Sequence, residues 1–414
     1  MKKIFLPILI LALSVFSLQA QTWVQQTSPV STDLNSAWAV SDQICWMCGP
    51  AGLVVRTTNA GTTWALANTG LSGNDFYTIT AVDANICIVG AGDGGLWRTT
   101  NGGTSWTFIT LTPPAVFMDV VHMFNATEGF AMSDPVGGSW KYYITTNAGA
   151  NWTAGPVTIP SVGSEAGWNN AYDALDTGRI WWGTNVTKIW RGSFRGPWTS
   201  AATAGRLNSF GVAFNNASTG VACFQTLSNM GSVDGGLTWT VGSYTPPATA
   251  FALKSVKGTG YMWIGWTLGI ARSTNSGTSF TTQQALTQAC YGLTFASVNR
   301  GWACTALGQI WRYTDFVGID PNNTNVPQSY SLQQNYPNPF NPTTTIKYSI
   351  PNASFVTLNI YDALGNLIKT VVSGNQAAGN YVEDVDMSSF ASGIYFYSLR
   401  AGSFTETKKM TLVK

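Results

Sequence analysis

Short apolar runs recur along the chain, each four to seven residues long and rich in aromatic and β-branched side chains. Clusters of Gly, Asn, Asp, Ser and Thr separate them. Leu96-Trp97-Arg98-Thr99, a polar turn, and then Trp106-Thr107-Phe108-Ile109 is typical. Runs of this length bounded by turn formers predict β-hairpins. No window of helical period with helix caps competes with them. The elements expected throughout are therefore short antiparallel strands.

The turns repeat. Thr57-Thr58-Asn59-Ala60-Gly61-Thr62-Thr63-Trp64 returns as Thr99 to Trp106, Thr145 to Trp152, Ser232 to Trp239 and Ser273 to Phe280. The closing aromatics lie 42, 46, 87 and 41 residues apart. The longest step holds a degenerate copy, Ile189-Trp190-Arg191-Gly192-Ser193 leading to Trp198, and a seventh unit opens at Ile310-Trp311-Arg312-Tyr313-Thr314. Two strands precede each turn's own pair, with breaks such as Phe124 to Gly129, Phe214 to Gly220 and Phe295 to Gly301. Four strands per 40 to 45 residues is the size of a propeller blade. The fold class expected is all-β: a seven-bladed β-propeller, then a small Ig-like β-sandwich. A count of six or eight blades turns on the fourth unit.

Within each turn the polar residues have separable tasks. Asn59, Asn101, Asn147, Asp234 and Asn275 can accept backbone N–H bonds. Gly61, Gly103, Gly149, Gly236 and Gly277 can adopt positive φ at little cost. Trp64, Trp106, Trp152, Trp239 and Phe280 can lay a ring over the hairpin. These motifs resemble the Asp-box of the sialidase-type (BNR-like) repeat, and the whole unit is similar to the photosystem-assembly-factor-like propellers, over roughly residues 22 to 315. The resemblance implies that the box is a fold device on the rim, with no catalytic part.

The seventh unit lacks a fourth strand, whereas Thr22-Trp23-Val24-Gln25-Gln26-Thr27 resembles one. Residues 22–27 should therefore pair beside residues 309–314 and close the ring, covering an otherwise open edge. Ahead of them, Lys2-Lys3, an apolar run from Ile4 to Phe16 and a small Ala20 read as a signal peptide over residues 1–20. Residues 21–316 are assigned to the propeller and 317–329 to a linker. No integral membrane segment is expected after signal removal.

Residues 330–414 carry a different signature. Asn335-Tyr336-Pro337-Asn338-Pro339-Phe340-Asn341-Pro342, Ile360-Tyr361-Asp362 with Gly365, Ser392-Gly393-Ile394-Tyr395, and Lys408-Lys409 ending at Lys414 are its landmarks. About seven short strands in some 85 residues suit a sandwich. The stretch resembles the type A C-terminal sorting domain of type IX secretion cargo. That resemblance makes Gly393, Tyr395, Lys408, Lys409 and Lys414 the sorting signal and the type IX translocon and sorting machinery the partners. It implies passage through the inner membrane to the outer-membrane surface or the extracellular space.

Composition narrows the chemistry. Charged residues make up 10% of the chain, with 43 Gly and 18 Trp, against about 25% charged in average soluble proteins. Once Lys2 and Lys3 are removed, 19 basic residues face 19 acidic ones, which leaves no electrostatic footing for nucleic acid. The single histidine, His122, reads as a structural residue, and no metal site or cofactor is expected. Glycoside hydrolysis by the common route needs paired carboxylates, and Glu occurs in the propeller only at Glu128 and Glu165. Arg56, Arg98, Arg191, Arg272 and Arg312 recur at one repeat position, a packing pattern. The six cysteines, Cys45, Cys48, Cys87, Cys223, Cys290 and Cys304, read mainly as buried free thiols, although export permits disulfides.

A ligand site, if present, is expected on the face opposite the boxes, where units three and four carry longer loops. Its candidate residues are Asp134, Trp140, Lys141, Glu165, Trp168, Tyr172 and Asp173. Trp with scattered acids suits capture of a glycan or protein ligand. The expected function is a non-enzymatic binding module on an exported propeller; the alternative is a secreted glycoside hydrolase or lyase using the same face.

Overall fold

The computed structural model describes residues 22–225, 228–314, 329–352, 354–376 and 379–413. The expected signal peptide, residues 317–328 of the expected linker, and Lys414 lie outside the described residues. The chain divides into two compact units, one ending at Gly318 and the other beginning at Ile319.

The first unit is a β-propeller built of seven four-stranded antiparallel sheets. Their first strands are Ser36–Ala39, Phe76–Ala81, Met118–Met123, Gly167–Asp176, Ser209–Phe214, Ala250–Ser255 and Cys290–Ser297. Each touches the next, and the first touches the seventh, so these strands form a closed inner ring. Four of the five repeated turns join third to fourth strands in sheets 1, 2, 3 and 5, and the last does so in sheet 6. The seventh sheet takes its fourth strand from the start of the chain: Thr22–Gln26 pairs antiparallel with Ile310–Thr314, Trp23 opposite Tyr313. Trp23, 5% exposed, sits edge-on to Trp263 and against Tyr313. The closure expected from the sequence is the one observed.

The repeated turns fold as their residue types predict. Asn59 Oδ1 accepts the Thr63 N–H at 2.9 Å, and Thr57 Oγ1 accepts the Gly61 N–H at 2.8 Å. The same pair of bonds recurs in the other four turns at 2.8–3.1 Å. In the turn from Ser232 to Trp239, hydrogen bonds from Thr238 hold the Asp234 carboxyl down at about 2. Gly103 shows why glycine stands at the fifth position. Its φ is +87°, and a Cβ there would lie 2.2 Å from the Ala67 carbonyl oxygen of the preceding blade. The turns are thus blade-to-blade contacts as well as hairpin ends. Trp106 reinforces this one, donating from Nε1 to the same Ala67 oxygen at 3.0 Å.

Four of the five recurrent arginines do the same work from the third strands. Arg98 Nε donates to the Ala148 carbonyl at 2.8 Å and Arg312 Nη1 to that of Ala60 at 3.0 Å, each in the next blade's turn. Arg56 reaches the Ala84 carbonyl, and Arg272 Nη1 reaches Tyr313 OH at 3.3 Å. All six cysteines are free and buried on strands.

The second unit packs a three-stranded sheet against a four-stranded one. Leu332, Ile346, Tyr348 and Val385 from the first meet Val356, Leu358, Tyr397 and Met410 from the second in one core. The Asn335–Pro342 motif is pinned to that core. Asn335 donates from Nδ2 to the Pro337 carbonyl and Thr344 Oγ1, its N–H bonds Tyr397 OH, and Phe340 is 2% exposed. Gly393 opens the strand Gly393–Ala401 that carries Tyr395, whose OH bonds the Ala391 carbonyl at 2.7 Å. Lys408 pairs with Glu406 at 2.9 Å, and Lys409 stands opposite Phe396 in the sheet.

Candidate functional site

A strand alternates its side chains between two faces, so one extra residue on one strand redirects a side chain. The first strands use this device repeatedly. In the seventh sheet Cys290 pairs with Thr305 and Gly292 with Cys304, which leaves Tyr291 as the extra residue. The same shift leaves out Tyr77, Phe210 and Phe251 in the second, fifth and sixth sheets. In the fourth sheet the interruption is longer, running from Gly167 to Tyr172. Its residue Trp168 joins the group, 4.5 Å from the Phe210 ring. Phe210 meets Phe251 at 6.0 Å, and Phe251 meets Tyr291 at 5.6 Å.

These half-buried rings line a cavity of about 390 Å³ at one end of the channel, together with Asp33, Asn35, Pro50 and Asn169. It opens where the first strands begin, the face opposite the repeated turns. In the third sheet the extra residue is Asp119 instead of an aromatic. Its buried carboxyl abuts Gly167 and faces the carboxyl of Asp134, whose Oδ1 accepts the Gly167 N–H at 2.7 Å. Burial pushes Asp119 well above the usual carboxylate range, and the Asp134 charge adds to the shift; Asp134 is raised as well, mainly by burial.

A second cavity, of about 540 Å³, lies at the other end, where the first strands finish. Trp38, Val256, Phe295 and Val298 contribute to its apolar wall, and its polar lining includes His122, Tyr172, Asp173, Lys254 and Lys257 beside several Ser and Thr residues. His122 Nδ1 lies 3.1 Å from Tyr172 OH, and its ring meets Trp38 edge-on at 5.1 Å. Burial, then the Lys254 and Lys257 charges, depress His122 to about 3, so the imidazole is neutral at ordinary pH. Asp173 Oδ2 accepts the Phe214 N–H at 2.6 Å and pairs with Lys257.

The seven candidate residues do not form one site, which corrects the expectation from sequence. Trp168 lines the aromatic mouth, with Asp134 beneath it on Gly167. Tyr172 and Asp173 line the cavity at the opposite end. Trp140 is 4% exposed and packs edge-on against Trp182 at 5.6 Å. Glu165, 4% exposed, accepts the Trp190 Nε1–H at 2.6 Å and pairs with Lys188 at 3.4 Å. Lys141 reaches Ser139 Oγ at 3.4 Å. The long segment around residues 132–141 is not a free loop. It extends the Gly129–Val136 and Ser139–Thr145 hairpin, and Trp140 N–H bonds the Ile159 carbonyl. Backbone pairing turned its tryptophan inward.

Sequence reasoning missed Tyr77, Phe210, Phe251 and Tyr291, Asn170, Asp119, Lys254 and Lys257. A signal existed for the aromatics: in the last three units they recur 41 and 40 residues apart, one residue past the strand start. The lysines carry no such pattern.

No curated protein sequence matches the chain. In fold it is similar to YCF48 from Cyanidioschyzon merolae, at 18% identity and a TM-score of 0.56, over 70% of this chain and 98% of that one. It is similar to YCF48 bound to D1 peptide at 15% identity and 0.58, over 72% and 96%. PorZ, an essential bacterial surface component of the type-IX secretion system of Porphyromonas gingivalis, aligns at 14% identity and 0.51, over 92% of this chain and 60% of that one. At these identities the likeness is one of fold. Among the described residues no helix is long and apolar enough to cross a membrane. Residues 334–413 match the family described as the secretion system C-terminal sorting domain, which marks this chain as cargo exported by type IX secretion to the cell surface or the extracellular space.

Proposed function

We propose that the exported propeller is a non-enzymatic binding module that captures a carbohydrate at the aromatic mouth of its channel. The observation that carries this reading is the group of Tyr77, Phe210, Phe251 and Tyr291, set there by the same one-residue shift in blades 2, 5, 6 and 7, with Trp168 brought in by the longer interruption of blade 4. Aromatic faces stack on the C–H faces of sugars, and the flanking Asn35, Asn169 and Asp33 suit hydroxyl groups. Among the described residues Asp33 is the one carboxylate lining this mouth, whereas the common glycosidase route needs two. The propeller repeats are read as Asp-boxes serving the fold, and the second unit as an Ig-like sorting domain.

Glycan-array binding by the purified chain, lost in the Trp168→Ala, Phe251→Ala double variant, is the expected result. Binding to peptides alone, as for the peptide-bound YCF48 relative in fold, would replace the carbohydrate by a protein ligand. One feature favours an enzymatic reading instead, the buried Asp119 carboxyl facing that of half-buried Asp134 near Trp168. Release of new reducing ends from array glycans, abolished by Asp119→Asn, would establish that reading. For delivery, removal of residues 394–414 takes away most of the strand Gly393–Ala401 and all of Phe404–Leu412. The truncated protein should stay in the periplasm; its normal display at the surface would defeat the sorting assignment.

A further inference from the structure

The cavity at the turn-side end of the channel holds a charge its own walls do not answer. Asp173 is its one lining carboxylate among the described residues, and that group is committed. Asp173 Oδ1 accepts the Ala174 N–H at 2.9 Å, and Oδ2 takes the Phe214 N–H and the Lys257 ammonium. Lys257 also donates to the Phe214 carbonyl at 3.0 Å. Lys254 has no such partner. Its ammonium lies over the Tyr172 ring, 4.8 Å from the centroid, and feels Asp173 only at a distance. Burial lowers its proton affinity below that of an ordinary lysine. A partly buried ammonium without a paired anion is costly to keep, and the cost is relieved by an anion that enters the recess with it.

The remaining wall sets the shape of such a guest. Trp38, Val256, Phe295 and Val298 present apolar surface around a volume of about 540 Å³, within the roughly 300–1,000 Å³ of ordinary small-molecule sites. Neutral His122 and Tyr172, bonded to each other, add polarity without charge.

We propose that this cavity is a second binding site, separate from the aromatic mouth, for a carboxylate carried on an apolar body, with Lys254 as its counter-ion and Trp38 and Phe295 flanking the body. A free organic acid and the terminal carboxylate of a peptide share this chemistry. The test is calorimetric titration of the purified full chain at low salt with 3-phenylpropionate, with 3-phenylpropanamide, and with a pentapeptide ending in Phe as free acid or amide. At least one acid should bind, and its amide at least about tenfold more weakly, the factor equivalent to about 1.4 kcal/mol. Preference for the small acid identifies a metabolite-type ligand; preference for the peptide acid identifies a chain terminus. Lys254→Met, which keeps the stem and deletes the charge, should abolish the acid–amide difference, whereas Trp168→Ala at the other end should leave it intact. Equal binding of acid and amide, or binding of neither acid, overturns the proposal on the unaltered protein. A preference that survives in folded Lys254→Met overturns it as well.

Discussion

Asn170, in the first strand of blade 4, donates from Nδ2 to the Tyr77 carbonyl of blade 2 at 2.7 Å and accepts from Ser36 Oγ of blade 1 at 3.1 Å. The residue crosses the channel to reach strands 93 and 134 positions away in sequence. It can do so because the pairing of its own strand is interrupted there and its φ is +61°, a region Asn tolerates better than most residues. The narrow space between the two cavities is lined by Asn170, Tyr172 and Lys254. Asn170→Ala should destabilise the propeller by about 1–3 kcal/mol through lost buried hydrogen bonds. Asn170→Gly, which eases the backbone but restores neither bond, should recover only part of that in denaturant titrations.

Closure of the ring depends on Trp23. The ring lies against Trp263, Phe295 and Tyr313, so Trp23→Ala leaves a cavity in a closed interface. The expected loss is about 3–5 kcal/mol, measured as a shift in denaturation midpoint. Val24→Ala, on the same strand but with a side chain 45% exposed, should change stability by less than about 0.5 kcal/mol. Equal effects would mean that the strand contributes pairing alone.

Two buried groups give opposite pH dependences. His122 is depressed to about 3 by burial and by the two lysines, from about 6.5 in the unfolded chain. Its contribution to stability is whole above pH 6.5 and is lost as pH falls toward 3, because the unfolded state takes up the proton first. Asp119 is raised by burial. Its contribution is whole below its unfolded value of about 3.9 and is lost as pH rises through the folded value. His122→Gln should therefore flatten the fall in melting temperature between pH 6.5 and 4. Asp119→Asn should raise the melting temperature at pH 7 relative to wild type. Reversed signs in either scan would contradict the burial assigned to that group.

Thiol chemistry offers a simple check. Burial raises the thiols of all six cysteines, Cys223 and Cys290 to about 12, and the thiolate is the reactive form. Native protein should show almost no reaction with a thiol reagent at pH 8, and six equivalents after unfolding in denaturant without reductant. Fewer than six would reveal disulfides.

The repeated turn, the count of units, the borrowed closing strand, the recurrence of the packing arginines and the sorting motif were all legible in the sequence. Each depends on contacts a few residues apart or on a pattern recurring every blade. Within each repeated turn the Thr or Ser hydroxyl four residues before the Gly N–H makes the same bond, as Thr57 and Thr99 do. The sites were not legible, because they are assembled between blades. Trp140 and Trp168 look alike in sequence, yet strand pairing buries the first against Trp182 while a break in pairing turns the second into the channel mouth. Lys254 and Lys257 lie three residues apart, and only the ring's closure places Asp173 beside one and Tyr172 beneath the other. Local hydrogen bonding and periodicity act along the chain, so the sequence by itself determined the blade and its copies. Which side chains converge on the axis was decided by the tertiary structure, because that depends on where each strand breaks register and on what the opposite blades present.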